Sequence, residues 1–238
     1  MARVLKQFTL PPSLLFPQGW SGTVPDLRRI QEALAGRVSL RNAFRSLPRW
    51  IAGVDVGLGR FAKIARAAAV LVDSRTLLPV AEAVVEQPVA LPYIPGLLSF
   101  RELPVVLQAL AQLPRRPDLL MCDGQGIAHP RRFGIAAHLG VATGLPSIGV
   151  AKSILVGTHD SLPGRQGAQR PLLIDGEGVG TVLRSRAGCA PLIVSPGHRI
   201  GIERAADFVM AMLTRYRLPE PTRLADRLSK PPRDTEHR

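Results

Sequence analysis

Leu119-Leu-Met-Cys-Asp-Gly-Gln-Gly-Ile-Ala-His-Pro-Arg-Arg-Phe-Gly134 is the stretch whose reading decides the fold. Leu119 to Cys122 is an apolar run of strand length, and it delivers a carboxylate, Asp123, into a turn opened by Gly124 and Gly126. His129, Arg131 and Arg132 follow at once. From Phe133 to Thr143 the spacing predicts a helix closed by Gly144, and Ser147 to Val150 predicts a strand running into Ala151 and Lys152. Strand, helix, strand is the unit of a parallel sheet with helices packed on it. An acid at a strand end beside arginines points to metal-assisted phosphate chemistry. A single such acid more often caps the next helix, so the stretch does not decide the chemistry alone.

Upstream, Trp50 to Val56 reads as a strand, and Ala65 to Val72 and Val80 to Val89 as two more on either side of Asp73-Ser-Arg-Thr76, together an antiparallel meander. Leu97 to Leu113 has helical spacing, and Pro104, best placed in a first turn, moves the expected start to Glu102 or Leu103. Downstream, Val179 to Arg184 and Leu192 to Val194 predict short strands, Ile202 to Tyr216 a long amphipathic helix, and Arg223 to Leu228 a brief one after the corner Leu218-Pro-Glu-Pro-Thr222. Before Trp50 come a proline-rich lead-in to Pro25 and an amphipathic helix over Asp26 to Ala35 with Leu27, Ile30 and Leu34 on one face. The expectation is one α/β domain over residues 1–238 with a mixed central sheet, residues 1–48 forming a packing segment and 230–238 a frayed tail.

A chain of 238 residues can bury a substantial core, and its formal charge of +13, mostly from arginine, favours an acidic partner with planar oxygens. Nucleic acid leads. A membrane is disfavoured because no apolar run spans a bilayer and neither end carries a basic amphipathic helix. Cys122 and Cys189 lie in apolar, strand-like runs outside any zinc-type pattern, which predicts reduced core thiols. Met1-Ala-Arg-Val-Leu-Lys-Gln-Phe8 has no signal-peptide signature, so the expected location is the cytoplasm. The expected state is a monomer.

Asp55, between Val54 and Val56, is an expensive residue for a strand unless a cation or donors meet it. Asp123 ends an apolar strand in the same manner. If the two strands are neighbours, both acids reach one end of the sheet. Glu102 enters from a helix start and Asp226 from the last short helix. Four acids meeting in so basic a chain would need divalent metal between them, and oxygen-only ligands select Mg²⁺ or Mn²⁺. Taken singly, Asp55 fits a turn, Glu102 a helix-start charge and Asp226 an exposed face. Spacing leaves both accounts open.

The chain resembles the bacterial endonuclease V family along nearly its whole length. Ile51-Ala-Gly-Val-Asp-Val56, Pro92-Tyr-Ile-Pro-Gly-Leu-Leu-Ser-Phe-Arg-Glu102, Pro117 to Arg132, Ile148-Gly-Val-Ala-Lys-Ser153, Gly197-His-Arg199 and Tyr216-Arg-Leu-Pro-Glu-Pro-Thr-Arg223 occur in the family's order. The resemblance implies a ribonuclease H-like mixed sheet with helices on both faces. It implies a Mg²⁺-dependent endodeoxyribonuclease, with Mn²⁺ as a substitute, that cuts DNA at the second phosphodiester bond 3′ of a deaminated base, chiefly deoxyinosine. It implies Asp55 and Asp123 as the central metal ligands with Glu102 completing the site, Asp226 as a fourth metal ligand or a water-orienting group, and Lys152 as the active-site lysine. Pro92, Tyr93, Ile94 and Pro95 resemble the family's wedge, which fills the gap left by an extruded lesion; the prolines stiffen the loop and Tyr93 offers a stacking ring. Gly96 and Gly124 resemble parts of the lesion pocket, where a missing side chain admits the base. His129 reads as a loop-holding or phosphate-contacting residue, and Arg131 and Arg132 as phosphate contacts. Gln125 departs from the His of the family's Asp-Gly-His-Gly, which bears on pocket detail and leaves the ligands intact.

Two other functions fit parts of the sequence. A ribonuclease H-like nuclease acting on inosine-containing RNA or another structured nucleic acid would share the acids, and a non-catalytic binding module would share the charge. The glycines at Gly53, Gly57 and Gly59 do not form a dinucleotide fingerprint.

Overall fold

The computed structural model describes residues 23–58, 63–89 and 91–230. The lead-in before residue 23 and the tail after Lys230, both given a role in the sequence reading, lie outside the described residues. The elements run α1 (Val24–Ala35), β1 (Trp50–Gly57), β2 (Ile64–Asp73), β3 (Leu78–Pro88), α2 (Leu98–Ala111), β4 (Leu119–Cys122), α3 (Ile135–Thr143), β5 (Ser147–Ala151), β6 (Gln169–Ile174), β7 (Glu177–Leu183), β8 (Leu192–His198), α4 (Ile202–Ala211) and α5 (Glu220–Ser229). They build one eight-stranded mixed sheet in the order β3-β2-β1-β4-β5-β8-β7-β6. The meander over β1, β2 and β3 is antiparallel, while β1, β4 and β5 run parallel at the centre.

Strand alternation sends successive side chains to opposite faces. Ala52 and Val54 of β1 with Leu120 and Cys122 of β4 pack beneath α2 and α3. Ile51, Leu119 and Met121 point the other way, against Phe208 and Val209 of α4 and Leu224 and Ala225 of α5. Helices therefore cover both faces, and the central strands are apolar on both sides, as a parallel centre requires. The mixed α/β architecture expected from the sequence is the one observed.

Two helix boundaries and one strand depart most from expectation. Helix α2 starts at Leu98, so Pro104 is its seventh residue and not in its first turn. The missing N–H deprives one carbonyl, and burial of Phe100, Leu103 and Leu107 holds the helix through that loss. Helix α4 ends at Ala211, short of Tyr216, because the backbone turns after Met212, whose carbonyl accepts from the Glu220 amide at 2.9 Å. Strand β6 has no counterpart in the sequence reading; it is an edge strand with Pro171 inside it and Leu172 its one fully buried residue, so it lacks an apolar alternation. Cys122 is buried in β4, whereas Cys189 stands half-buried in a turn and not in a strand; both are free thiols.

Candidate active site

Register creates the site. Val54 of β1 pairs with Cys122 of β4, and the Asp123 amide donates to the Val54 carbonyl at 3.0 Å, so Asp55 and Asp123 leave adjacent parallel strands side by side. The carboxyl ends of parallel strands are the usual location of ligand sites in such sheets. Asp55 shares a face of β1 with Gly53 and Gly57, and α5 lies directly on that face. A Cβ at Gly53 would fall 2.0 Å from the Pro221 carbonyl oxygen, and one at Gly57 2.1 Å from that of Ser229. The two glycines let the helix backbone approach the strand, which lowers Asp226 toward Asp55.

Asp55, Asp123 and Asp226 each place a carboxylate oxygen within 4.8 Å of the others. Glu102, from the second turn of α2, lines the same cavity but is not in that group of three. Lys152, just past β5, reaches Asp123 Oδ2 and Asp226 Oδ1, each at 2.5 Å. Lys230 meets Asp226 Oδ2 at 2.6 Å, and the Ser229 hydroxyl donates to Asp55. The structure thus gathers Asp55, Asp123, Asp226 and Lys152 in one corner with Glu102 lining the same cavity, and it adds Ser229 and Lys230, which the sequence reading did not name. An i, i+3 pairing of Asp226 with Ser229 on one helix face was the available signal.

The corner is short of positive charge. Burial, then the neighbouring Asp55, push Asp123 up to about 6 against the pull of Lys152. Burial, then Asp55 and Asp123, push Glu102 up to about 8. Burial also raises Asp55, in spite of Ser229 and Lys152. At Asp226 burial is outweighed by Lys152 and Lys230, and its carboxyl titrates lower than usual. Burial at Lys152 is likewise outweighed by Asp123 and Asp226, which hold its proton. Four acids face two lysines, and an all-oxygen donor set that raises its own proton affinity fits a hard divalent ion.

A cavity of about 430 Å³ is lined by Asp55, Glu102, Asp123 and Lys152 of this corner together with Tyr93, Gly96, Gly124, His129 and Phe133. Leu97 N–H bonds the Ile94 carbonyl at 3.0 Å, with Pro95 and then Gly96 (φ 76°) between them, the pattern of a type II turn. Tyr93, 42% exposed, stands at the rim before it, between Pro92 and Ile94. Gly124 (φ 146°) is closed on its Cβ side by Ile135 at 2.6 Å. Gln125 lines the cavity and donates to the Ser153 carbonyl at 2.9 Å, tying the turn after β4 to the segment after Lys152.

The basic residues of the opening stretch are engaged internally. His129 is buried, its Nδ1 accepting from the Arg131 amide at 3.2 Å; burial, then Arg131, lower it to about 4. Arg131 donates to the Gly96 carbonyl at 2.8 Å and to Gln31. Arg132 (φ 54°) pairs with Glu177 at 3.1 Å, toward β7. Arg217, to which the sequence gave no role, binds the carbonyls of Lys152, Ala190 and Pro191 through contacts of 2.8 Å and so holds the backbone that carries Lys152. Among the described residues no helix is long and apolar enough to cross a membrane.

The Endonuclease V family model matches residues 32–227. Endonuclease V of Azotobacter vinelandii is 63% identical over 210 residues, covering 88% of this chain and 95% of that protein. The crystal structure of endonuclease V from Streptomyces avermitilis superposes with a TM-score of 0.84 at 45% identity, covering 90% of this chain and 94% of that one. Ciona intestinalis endonuclease V, solved in complex with a 24mer DNA containing an inosine followed by a ribo-adenosine, gives 0.76 at 26% identity over 87% of this chain and 95% of that one. A family model spanning most of the chain and relatives matched over nearly their full length agree: this protein belongs to the endonuclease V family.

Proposed function

We propose that this protein is a DNA repair endonuclease that binds DNA carrying deaminated bases, chiefly deoxyinosine, and hydrolyses the second phosphodiester bond 3′ to the lesion, leaving a 3′-hydroxyl and a 5′-phosphate. The observation that carries the reading is the convergence of three carboxylates within 4.8 Å, two of which, Asp55 and Asp123, line one cavity together with Tyr93 and Gly96. The DNA-bound, inosine-containing structure of the Ciona relative supports the substrate class. In this reading the protein works as a cytoplasmic monomer.

Asp55, Asp123 and Asp226 would hold Mg²⁺, with Glu102 beside them, and Mn²⁺ would replace it. The bound ion supplies a water of lowered pKa and stabilises charge on the leaving oxygen. Lys152, held protonated between Asp123 and Asp226, presents fixed positive charge to the scissile phosphate. Tyr93, exposed at the rim between Pro92 and Ile94, stacks where the extruded base has left the helix, and Gly96 and Gly124 line the cavity that receives that base. The arginine-rich surface supplies salt-sensitive, sequence-independent attraction to the backbone.

A labelled duplex with one inosine, incubated with Mg²⁺ or with EDTA beside an inosine-free duplex, tests this. Metal-dependent nicking confined to the second bond 3′ of inosine is the expected result. Cleavage that ignores inosine contradicts the substrate, and absence of cleavage with retained binding would make the protein a binding module. A second reading, inosine-containing RNA, is favoured by one observation, the ribonucleotide that follows inosine in the Ciona complex. A matched RNA strand in the same assay decides it.

A further inference from the structure

Helix α1 belongs to the segment to which the sequence assigned no chemistry, yet its fully buried residues are Leu27 and a polar one, Gln31. Burying an amide is unfavourable unless its groups are bonded. Gln31 Nε2 donates to the Gly96 carbonyl at 3.0 Å and to the Phe133 carbonyl at 2.8 Å, and its Oε1 accepts from Arg131 Nε. A second guanidinium nitrogen of Arg131 donates to the same Gly96 carbonyl at 2.8 Å. A Cβ at Gly96 would lie 2.7 Å from that guanidinium, so Arg131 closes the side of the turn where a side chain would project. Gly96 and Phe133 both line the cavity. These links join residues 65, 102 and 100 apart in sequence.

We infer that Gln31 and Arg131 are positioning residues: together they clamp the Gly96 carbonyl and set where the Pro92–Gly96 turn stands in the cavity it shares with the carboxylates. This rests on the reading above, in which that turn faces an extruded base. A guanidinium committed on one edge to an amide and on another to a carbonyl is a structural fork, which a lysine cannot reproduce and which distinguishes it from a phosphate contact. Gly96, in a left-handed conformation, supplies a carbonyl reachable from two sides.

The test compares wild type with Gln31→Ala, Gln31→Glu, Arg131→Lys and Arg131→Ala. Single-turnover cleavage of an inosine duplex is measured against protein concentration, alongside affinity for a plain duplex at several salt concentrations, Mn²⁺ binding, and hydrogen exchange of residues 91–97. Gln31→Ala and Arg131→Lys are expected to raise the half-saturating concentration on inosine DNA by about tenfold, as loss of one or two hydrogen bonds implies, with maximal rate, Mn²⁺ affinity and plain-duplex affinity near wild type. Gln31→Glu keeps the acceptor for Arg131 but removes both donors, and is expected to behave like Gln31→Ala. Exchange over 91–97 is expected to speed up in all of these while the strands stay protected. Wild-type behaviour of Arg131→Lys, with Arg131→Ala weakening both duplexes and lowering the salt slope by about one, would make Arg131 a phosphate contact and overturn the clamp. Unchanged exchange over 91–97 overturns it without reference to DNA. If wild type itself does not prefer inosine, the proposed substrate fails, and the exchange data still decide the clamp.

Discussion

The carboxylate corner and the Pro92–Gly96 turn contribute to the lining of one cavity but are held in different ways. The corner is electrostatic: strand register aligns Asp55 with Asp123, α5 brings Asp226, and two lysines leave the charge incompletely balanced. The turn is geometric, a type II reversal whose glycine carbonyl is gripped by Gln31 and Arg131, with no carboxylate in the clamp. In the proposed reading the difference gives ion- and pH-dependence to the corner and lesion recognition to the turn. Perturbing each side should therefore move different observables.

The largest effect is expected for Asp123→Ala. Removing a carboxylate central to the corner should abolish metal-dependent cleavage while leaving folding and most DNA binding intact, since no negative charge is added; nicking assays and gel shifts on the same preparation measure both. Next comes Gly53→Ala, whose Cβ would meet Pro221 backbone at 2.0 Å. It should lift α5 off β1, cost about 3 kcal/mol of stability and withdraw Asp226 from the corner. Denaturant unfolding with an activity assay checks it; a variant with wild-type stability would contradict the close seating of α5.

An intermediate effect concerns pH. The folded state raises Glu102 from 4.5 to about 8, so it binds a proton that the unfolded chain has released, and stability falls as pH rises through that interval. Asp123, raised to about 6, acts with the same sign at lower pH. His129 and His138, lowered to about 4 and about 3 chiefly by burial, act with the opposite sign below about 6.5. Between about 6.5 and 8 Glu102 therefore sets the direction: in EDTA the melting temperature should drop across this range, and Mg²⁺ should restore more of it at pH 8 than at pH 6.5. A clamp variant such as Gln31→Ala should leave that pH trend unchanged. The smallest effect is expected for Lys230→Ala: the lysine is largely exposed and pairs with Asp226 at i, i+4, so stability should change by less than about 0.5 kcal/mol.

The same contrast explains what the sequence revealed. Asp55 and Asp123 were legible because a carboxylate inside or ending an apolar strand has few uses, and the meander and β-α-β pattern placed their strands in one sheet. Tyr93 and its prolines were legible through the family motif alone. Gln31 and Arg217 were not legible, because each acts on backbone groups far away in sequence and a polar residue such as Gln31 on an amphipathic helix gives no local sign that it faces inward; Ser229 left only its i, i+3 spacing from Asp226 as a sign. Gly53 and Gly57 were noticed only as failing a nucleotide-binding pattern; their role, space for α5, follows from packing between elements more than 160 residues apart. Strand β6 escaped because edge strands need no apolar face.

The central claim is that the corner formed by Asp55, Asp123 and Asp226 holds a divalent ion. A calorimetric titration of Mn²⁺ into the DNA-free protein, repeated with Asp123→Ala, tests it most directly. Saturable binding with proton release, lost or weakened at least about tenfold in the variant, is the predicted result. Equal binding by both proteins, or none by the wild type under conditions where it cleaves DNA, would contradict it.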